Sequence, residues 1–543
     1  MRRAGALGKQ AALPAAMILC GALVALLGFL AQRRNDGHLI YLFDDAYIHM
    51  AMAKNFSLHG VWGVTPDGFT SASSSPLWTL ILSAAYRFFG VGETAPLILN
   101  LLAAGLALAS AYLFLGKQSD RLEIGMAGLA LLVLAVPLPS LILTGMEHTL
   151  HVALAILFLS LAAGFLAADT RRTSREAAML AMAPLLGAVR YEGLFLLAVV
   201  GVLLIFRRRM RAAVLLALLG TLPMLAYGAI SIRAGWSFLP NSLLLKPASR
   251  LRFDSLDQVM EMLGKAAVRR LFHAHHFLGL FLASLALAVL LRRQRGQQVS
   301  SSIAWWANLA FMGATLLHLQ FVGIGWTFRH EGYLAALGIV AIAGGAGECL
   351  RGAGSWPTAR GRTLGLTAIL IAGVLLSPLV RKTVPVLWRT PRAASNIYRQ
   401  QYQMGRFVGR FYAGQSIALN DIGAVAFLAD IHLLDLAGLA SREVAALQLA
   451  NRFDAAHVKS LTDARGTAIA IVYEDWFAGV DEAWLKAGEW KIPDNIICAG
   501  DTVSFWAVDP ARRSELLANL RAFAPELPPE VRQSGAYRIP APP

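Results

Sequence analysis

Over the first two thirds of the chain, long apolar runs alternate with short polar stretches. The runs fall at 11–31, 94–116, 124–142, 148–168, 177–189, 193–206, 212–231, 277–291, 303–322, 333–347 and 362–380. Read as helices, they predict eleven membrane crossings. Two are short: 177–189 and 193–206 rise only about 20 Å at 1.5 Å per residue, against a hydrocarbon core of about 30 Å. A hairpin that bends back before crossing fully is expected there. Residues 75–89 are also apolar but include Trp78, Tyr86 and Arg87. That mixture suits a helix lying at the interface, and this segment is left out of the span count.

After residue 392 the pattern changes. SIALNDIGAVAFLADIHLLDLAGLA reads as strand, helix, strand, and AIAIVYEDW and DTVSFWAVD read as further strands. The expected fold class is an α-helical polytopic membrane protein with a C-terminal soluble α/β domain. Residues 1–392 form the membrane domain, with a first outer loop at 32–93, and 393–543 form the α/β domain.

Composition agrees with a bilayer. Of 543 residues, 57% are hydrophobic and only 15% charged, where a soluble protein carries about 25% charged residues. The net charge of +16 sits largely in short clusters between apolar runs, which marks topology and not nucleic-acid binding. The start, Met1-Arg2-Arg3 before the run 11–31, resembles a signal peptide. The run is long for one and lacks a convincing small-x-small cleavage site, so an uncleaved anchor is expected.

With the N-terminus cytoplasmic, Lys and Arg cluster in alternate loops: Arg2, Arg3 and Lys9; Lys117 and Arg121; Arg171, Arg172 and Arg175; Arg207 to Arg209 and Arg211; Arg292, Arg293 and Arg295; Arg351, Arg360 and Arg362. The basic loops are thus expected on the cytoplasmic side and the α/β domain on the extracytoplasmic side, in keeping with an expected location in the bacterial inner membrane. Two groups depart from the rule. Arg33 and Arg34 lie outside, and Arg381, Lys382, Arg389 and Arg392 follow the last span. Long loops and domains translocate largely regardless of charge, so the orientation stands. The three cysteines, Cys20, Cys349 and Cys498, form no CxxC pair and imply neither a disulfide framework nor a zinc site.

Asp44 and Asp45 are adjacent in the first outer loop, about a dozen residues beyond the first span. Neighbouring carboxylates in a partly apolar setting raise each other's pKa, which suits a general base. The same pair also suits the first turn of a helix, where carboxylates meet the positive dipole end. Further charges recur at outer segment ends: Glu147 in TGMEH, Arg190 and Glu192 in VRYEG, Lys246 in PNSLLLKP, and Arg329 with Glu331 in WTFRHEG. Each alone marks a loop end; together they share one face of the membrane. Arg and Lys clamp phosphate, and a carboxylate deprotonates an incoming hydroxyl. A lipid phosphate leaves without a general acid, so this set suffices for sugar transfer. HAHH at 273–276 lies at the mouth of a span, where interfacial histidines are commoner than metal sites. GxGxxG, GxxxxGK[ST] and DxD are absent. Neither a cofactor nor a divalent metal is indicated.

FDDAYIHMAMAKN followed by TSASSSPLWTL resembles the DDAYI…YTSPLW signature of GT-C-fold glycosyltransferases, and is most similar to the mycobacterial terminal arabinofuranosyltransferase branch. TGMEHTL, RYEG, PNSLLLKP, RHEGYL and NDIGAVAFLADIHLLDLAGL follow in the order of that branch's segments. The departures are Tyr191 where proline is usual, His49 where a small polar residue is common, and Ser242 for threonine. The resemblance implies an inverting transfer of a sugar, an arabinofuranose or other pentose, from a polyprenyl-phosphate donor to a cell-envelope glycan or lipid. By the same resemblance Asp44 is the general base, with Asp45 assisting. Arg329, Lys246 and Arg190 hold the donor phosphate, and Glu147, Glu192, His330, Asn241 and His49 contact sugar or acceptor. The alternative is a lipid-linked sugar flippase or transporter. It fits less well, because such proteins show internal repeats and midplane charges, which are not evident in this sequence.

Overall fold

A computed structural model describes residues 2–168, 173–245, 268–325, 327–351, 359–477 and 484–538, without side chains for 2–10, 173 and 359–372. Lys246 lies outside the described residues.

The helices that precede the sheet are α1 (Arg2–Gln32), α2 (Asp44–His59), α3 (Pro76–Phe89), α4 (Ala95–Gln118), α5 (Leu122–Ala135), α6 (Leu138–Leu143), α7 (His148–Ala167), α8 (Thr173–Val189), α9 (Gly193–Phe206), α10 (Met210–Arg233), α11 (Asn241–Leu244), α12 (His275–Arg295), α13 (Ile303–Phe321), α14 (Gly332–Cys349) and α15 (Ala359–Ile397). Among the described residues, six segments are long and apolar enough to cross a membrane: Ala11–Gln32, Ala95–Gln118, His148–Ala167, Met210–Arg233, His275–Ser301 and Gly332–Cys349. They coincide with six of the eleven expected runs. In a bilayer such helices associate by packing and not by hydrophobic expulsion from water. Accordingly α7 and α14, at the centre, are buried along most of their length and rich in Ala and Gly.

One expected span is not a single helix. The run 124–142 breaks after α5, because Pro137 has no amide to donate and sits at φ 23°; α6 then starts afresh with Pro139 in its first turn. The segment 75–89 forms α3, with 14 residues and a rise of about 21 Å. Trp78, Thr79, Leu82, Ser83 and Tyr86 are buried on one face, while Leu80, Phe88 and Phe89 are exposed.

Helix α15 runs for 39 residues, through Pro378, Pro385 and Pro391, and passes by a π-helical turn (Tyr398–Tyr402) into α16 (Gln403–Phe411). It thus joins the membrane part to a mixed six-stranded sheet. The strands are β1 (Ser416–Leu419), β2 (His432–Asp435), β3 (Ile469–Val472), β4 (Leu485–Lys491), β5 (Thr502–Ala507) and β6 (Arg532–Ser534), in the order β2-β1-β3-β5-β4-β6. β1 pairs in parallel with β2 and β3, and the remaining pairs are antiparallel. The strand–helix–strand reading is seen as β1, α17 (Gly423–Leu428) and β2. β4, LKAGEWK, escaped the sequence reading because its charges and Gly488 interrupt the alternation. Helices α18 (Arg442–Leu449), α19 (Ala455–Ala464) and α20 (Arg513–Phe523) complete the unit. Helix α17 packs on α2, and one continuous apolar core runs from α1 into the sheet.

Candidate active site

The acidic pair opens α2. Phe43 is the extended N-cap residue, and Asp44 and Asp45 occupy the first turn, where the unsatisfied amides favour negative charge. The helix-start reading of the pair therefore applies, and the two carboxylates then enter different surroundings.

The carboxylate of Asp44 points into the seam between α2 and the α/β unit. Its Oδ2 accepts from Gly423 N at 2.6 Å and its Oδ1 from Ala424 N at 2.8 Å, at the start of α17. The approach requires glycine: a Cβ on Gly423 would lie 2.1 Å from the Asp44 carbonyl oxygen. Asp421 lies close by, accepting from Tyr473 Oη at 2.6 Å and Gln401 Nε2 at 2.7 Å. Burial, and next the charge of Asp421, raise the Asp44 pKa above its usual 3.8; the two amide donors offset part of this, and Asp45 adds to it. Burial likewise raises Asp421, against the donors Tyr473 and Gln401.

The carboxylate of Asp45 faces the other way, into a cavity of about 820 Å³ between the membrane part and the α/β unit. Its Oδ2 accepts from Arg329 Nη1 at 2.9 Å. Arg329 also donates through Nε to His330 Nε2 at 3.2 Å and lies 5.0 Å from the Phe43 ring centre. The residue before it, Phe328, is buried at φ 60°. That sparsely populated backbone sets the direction in which Arg329 leaves the loop.

Behind this wall Arg190 is the hub of a buried charge cluster. It donates through Nη1 to Glu147 Oε1, through Nε to Glu192 Oε2 at 3.0 Å and through Nη2 to Glu192 Oε1 at 2.8 Å; Nη2 is also 3.1 Å from His330 Nδ1. Burial works against its charge, but Glu192 and Glu147 more than compensate and hold the pKa above the usual value. Burial and the neighbouring guanidinium groups push the His330 ring down to about 4, against a hydrogen bond to Glu192. His49 touches the cavity, with Nδ1 2.9 Å from Thr79 Oγ1 and Nε2 3.7 Å from Glu147 Oε2. Burial lowers its pKa, against the pull of Glu147.

Asp45, His49, Arg190, Arg329 and His330 therefore share one cavity, with Glu147 and Glu192 directly behind Arg190. Asn241 does not join them: its Nδ2 donates to Gly438 O at 2.8 Å and ties α11 to the loop after β2, while its neighbour Ser242 reaches the cavity. Sequence reasoning missed the opposite wall, Leu436, Ala437, Asn451, Phe453, Trp476 and Phe477 of the α/β unit. His148, beside Glu147 in TGMEH, also lines the cavity and carried a signal in its motif. Among the described residues, no group of three or more His, Cys, Asp or Glu side chains converges as a metal site.

Residues 395–506 match the model of a domain of unknown function (DUF8728). No curated protein matches the chain. Among solved structures, ArnT from Cupriavidus metallidurans bound to undecaprenyl phosphate is similar, with a TM-score of 0.53 and 13% identity over 91% of this chain and 98% of that one. The same enzyme in the apo state gives 0.52 and 14% over the same shares. The oligosaccharyltransferase AglB from Archaeoglobus fulgidus, in complex with an inhibitory peptide and a dolichol-phosphate, gives 0.46 and 11% over 91% and 74%. The likeness to ArnT extends over nearly the whole of both chains, and the chain is a multi-pass membrane protein that shares the fold of that protein.

Proposed function

We propose that the protein is an inverting glycosyltransferase that moves a sugar from a polyprenyl-phosphate donor to an envelope glycan or lipid on the extracytoplasmic side of the inner membrane. The observation that carries this reading is the Asp45–Arg329 pair on the wall of the cavity between the two parts of the molecule. One side chain is an anion able to take a proton and the other a cation able to hold a phosphate, and both face the same space.

Arg329 is the phosphate ligand. Its Nη2 has no partner among the described residues, whereas the donors of Arg190 are committed to Glu147, Glu192 and His330. Lys246, as the resemblance implies, is a second phosphate ligand. Asp45 is the base. It takes the proton of the acceptor hydroxyl as that oxygen bonds to the anomeric carbon; the bond from that carbon to the phosphate oxygen breaks, and the lipid phosphate leaves as the anion on Arg329. A single displacement of this kind inverts the anomeric centre. Binding of the phosphate draws Arg329 away from Asp45 and turns that carboxylate toward the acceptor hydroxyl. Asp44, which the resemblance makes the base, is here a positioning residue: it fixes the start of α2 and thereby aims Asp45. His49, Glu147, Glu192 and His330 shape and polarise the sugar side, and Asn241 sets the loop beside Ser242.

Following the family resemblance, the donor sugar is a pentofuranose. The test is reconstituted full-length protein given labelled polyprenyl-phospho-sugars, pentose and hexose, with an envelope extract as acceptor. Label transferred from the pentose donor into a product of inverted anomeric configuration is expected. Movement of the lipid-linked sugar across the vesicle without cleavage would overturn the reading in favour of a flippase.

A further inference from the structure

The basic residues that break the charge rule of the spans need an explanation that the transfer site does not supply. Lys382 is accounted for, since it pairs with Glu331 at 2.6 Å. Arg34 and Arg392 are brought together with Arg399 and Arg532 around a second cavity of about 700 Å³, where α1, α15 and the α/β unit meet. Two carboxylates also line it: Asp494 accepts from Arg392 Nη2 at 3.1 Å, and Glu530 from Arg399 Nη2 at 2.9 Å. Four guanidinium groups against two carboxylates leave an excess of positive charge. Arg34 and Arg532 are exposed, and their guanidinium groups have no ionic or hydrogen-bond partner among the described residues; Arg399 Nε is buried without one. Arg399 stands on the π-helical turn, a wider turn that re-aims its side chains relative to an α-helix.

The depth of this groove is set by the helices beneath it. On α15, Val380, Val384 and Trp388 are exposed at four-residue spacing, Trp388 to 85%. They make an apolar stripe that ends in an indole, the side chain that favours the membrane interface. Arg392 continues the stripe one turn on, about 6 Å further along the helix. Helix α1 repeats the pattern: Leu26, Phe29 and Leu30 are exposed, and Arg33 and Arg34 follow just past the apolar span Ala11–Gln32. Two adjacent helices thus each expose aliphatic residues and an aromatic, followed by arginines. α2 and its acidic pair lie beyond the same end of α1.

We infer that this groove, lined by Arg34, Arg392, Arg399 and Arg532, binds the phosphate of an anionic lipid headgroup in the leaflet bordering the α/β unit. The arginines recognise the phosphate by charge-assisted hydrogen bonds, and the apolar stripes of α1 and α15 receive the acyl chains. A lipid held there clamps α1, α15 and the α/β unit together, next to the transfer cavity but separate from it. The inference does not rest on the proposed transfer reaction.

The test uses full-length protein in a neutral detergent, with phosphatidylglycerol and phosphatidylcholine titrated separately and bound lipid counted by native mass spectrometry. One tightly held phosphatidylglycerol is expected, with phosphatidylcholine much weaker. The double variant Arg34→Gln/Arg532→Gln changes only exposed side chains and should bind phosphatidylglycerol about thirtyfold more weakly. If that variant fails to fold, Arg532→Gln alone is read against an expected loss of about fivefold. Equal binding of phosphatidylglycerol by wild type and variant would overturn the site. Displacement of the lipid by an equal concentration of sn-glycerol phosphate would overturn the lipid assignment and mark the groove as a site for soluble phosphate.

Discussion

Asp44 and Asp45 are consecutive residues in the first turn of one helix, and their carboxylates enter different surroundings. That of Asp44 is held by the amides of Gly423 and Ala424 in a seam packed too closely for any side chain at position 423. That of Asp45 is 45% exposed and pairs directly with Arg329 on the cavity wall. Successive residues of a helix diverge by about 100°, so two adjacent carboxylates need not converge on one substrate. In the seam, backbone donors hold the carboxylate and offset part of what burial and like charge add; at the cavity the carboxylate meets the partly exposed side chain of a cation, Arg329, which favours exchange. The comparison assigns assembly to the first aspartate and chemistry to the second.

Changes to these surroundings should separate the two roles. The largest effect on folding is expected from Arg190→Ala, which leaves Glu147 and Glu192 buried without their cation. A loss of about 3–5 kcal/mol is expected, seen as a collapsed yield of monodisperse protein or a large drop in the unfolding midpoint. Gly423→Ala acts on the seam alone. Its Cβ must displace the start of α2, at a cost of about 1–3 kcal/mol, and limited proteolysis should release the α/β unit sooner. Transfer should fall with it, because α2 also carries Asp45.

Asp44→Asn gives the smallest effect, and it depends on pH. The folded pKa of Asp44 is raised above its usual 3.8, so the folded state binds the proton more tightly than the unfolded chain. The stability this contributes is fully present below 3.8 and is lost as pH rises through the folded value. Wild-type stability should therefore fall across that window with a component that Asp44→Asn abolishes. Thermal unfolding of both proteins over a pH series reads the difference.

Much of this was legible in the sequence. Asp45, Glu147, Arg190, Glu192 and Arg329 were grouped by a shared face of the membrane, and His49 and His330 by the family resemblance; they do meet, because charges at helix ends on one face have few other partners, whereas Glu331 of the same group pairs with Lys382 instead. What separates Asp44 from Asp45 was not legible. It depends on the close approach of Gly423, a contact between residues 379 positions apart. The aromatic wall of Trp476 and Phe477 gave no signal either, since aromatics after a strand are equally consistent with ordinary core. The break at Pro137 was announced by VPLP and overridden by the length of the apolar run.

The most direct measurement is single-turnover sugar transfer by wild type, Asp44→Asn and Asp45→Asn, in equal amounts of folded protein with saturating polyprenyl-phospho-sugar. The predicted result is a loss on the order of 10²–10⁴-fold for Asp45→Asn, the usual share of a general base. Asp44→Asn should retain most of the rate at low pH. Full transfer by Asp45→Asn, with the loss falling on Asp44→Asn at every pH, would contradict the division of roles and make Asp44 the base.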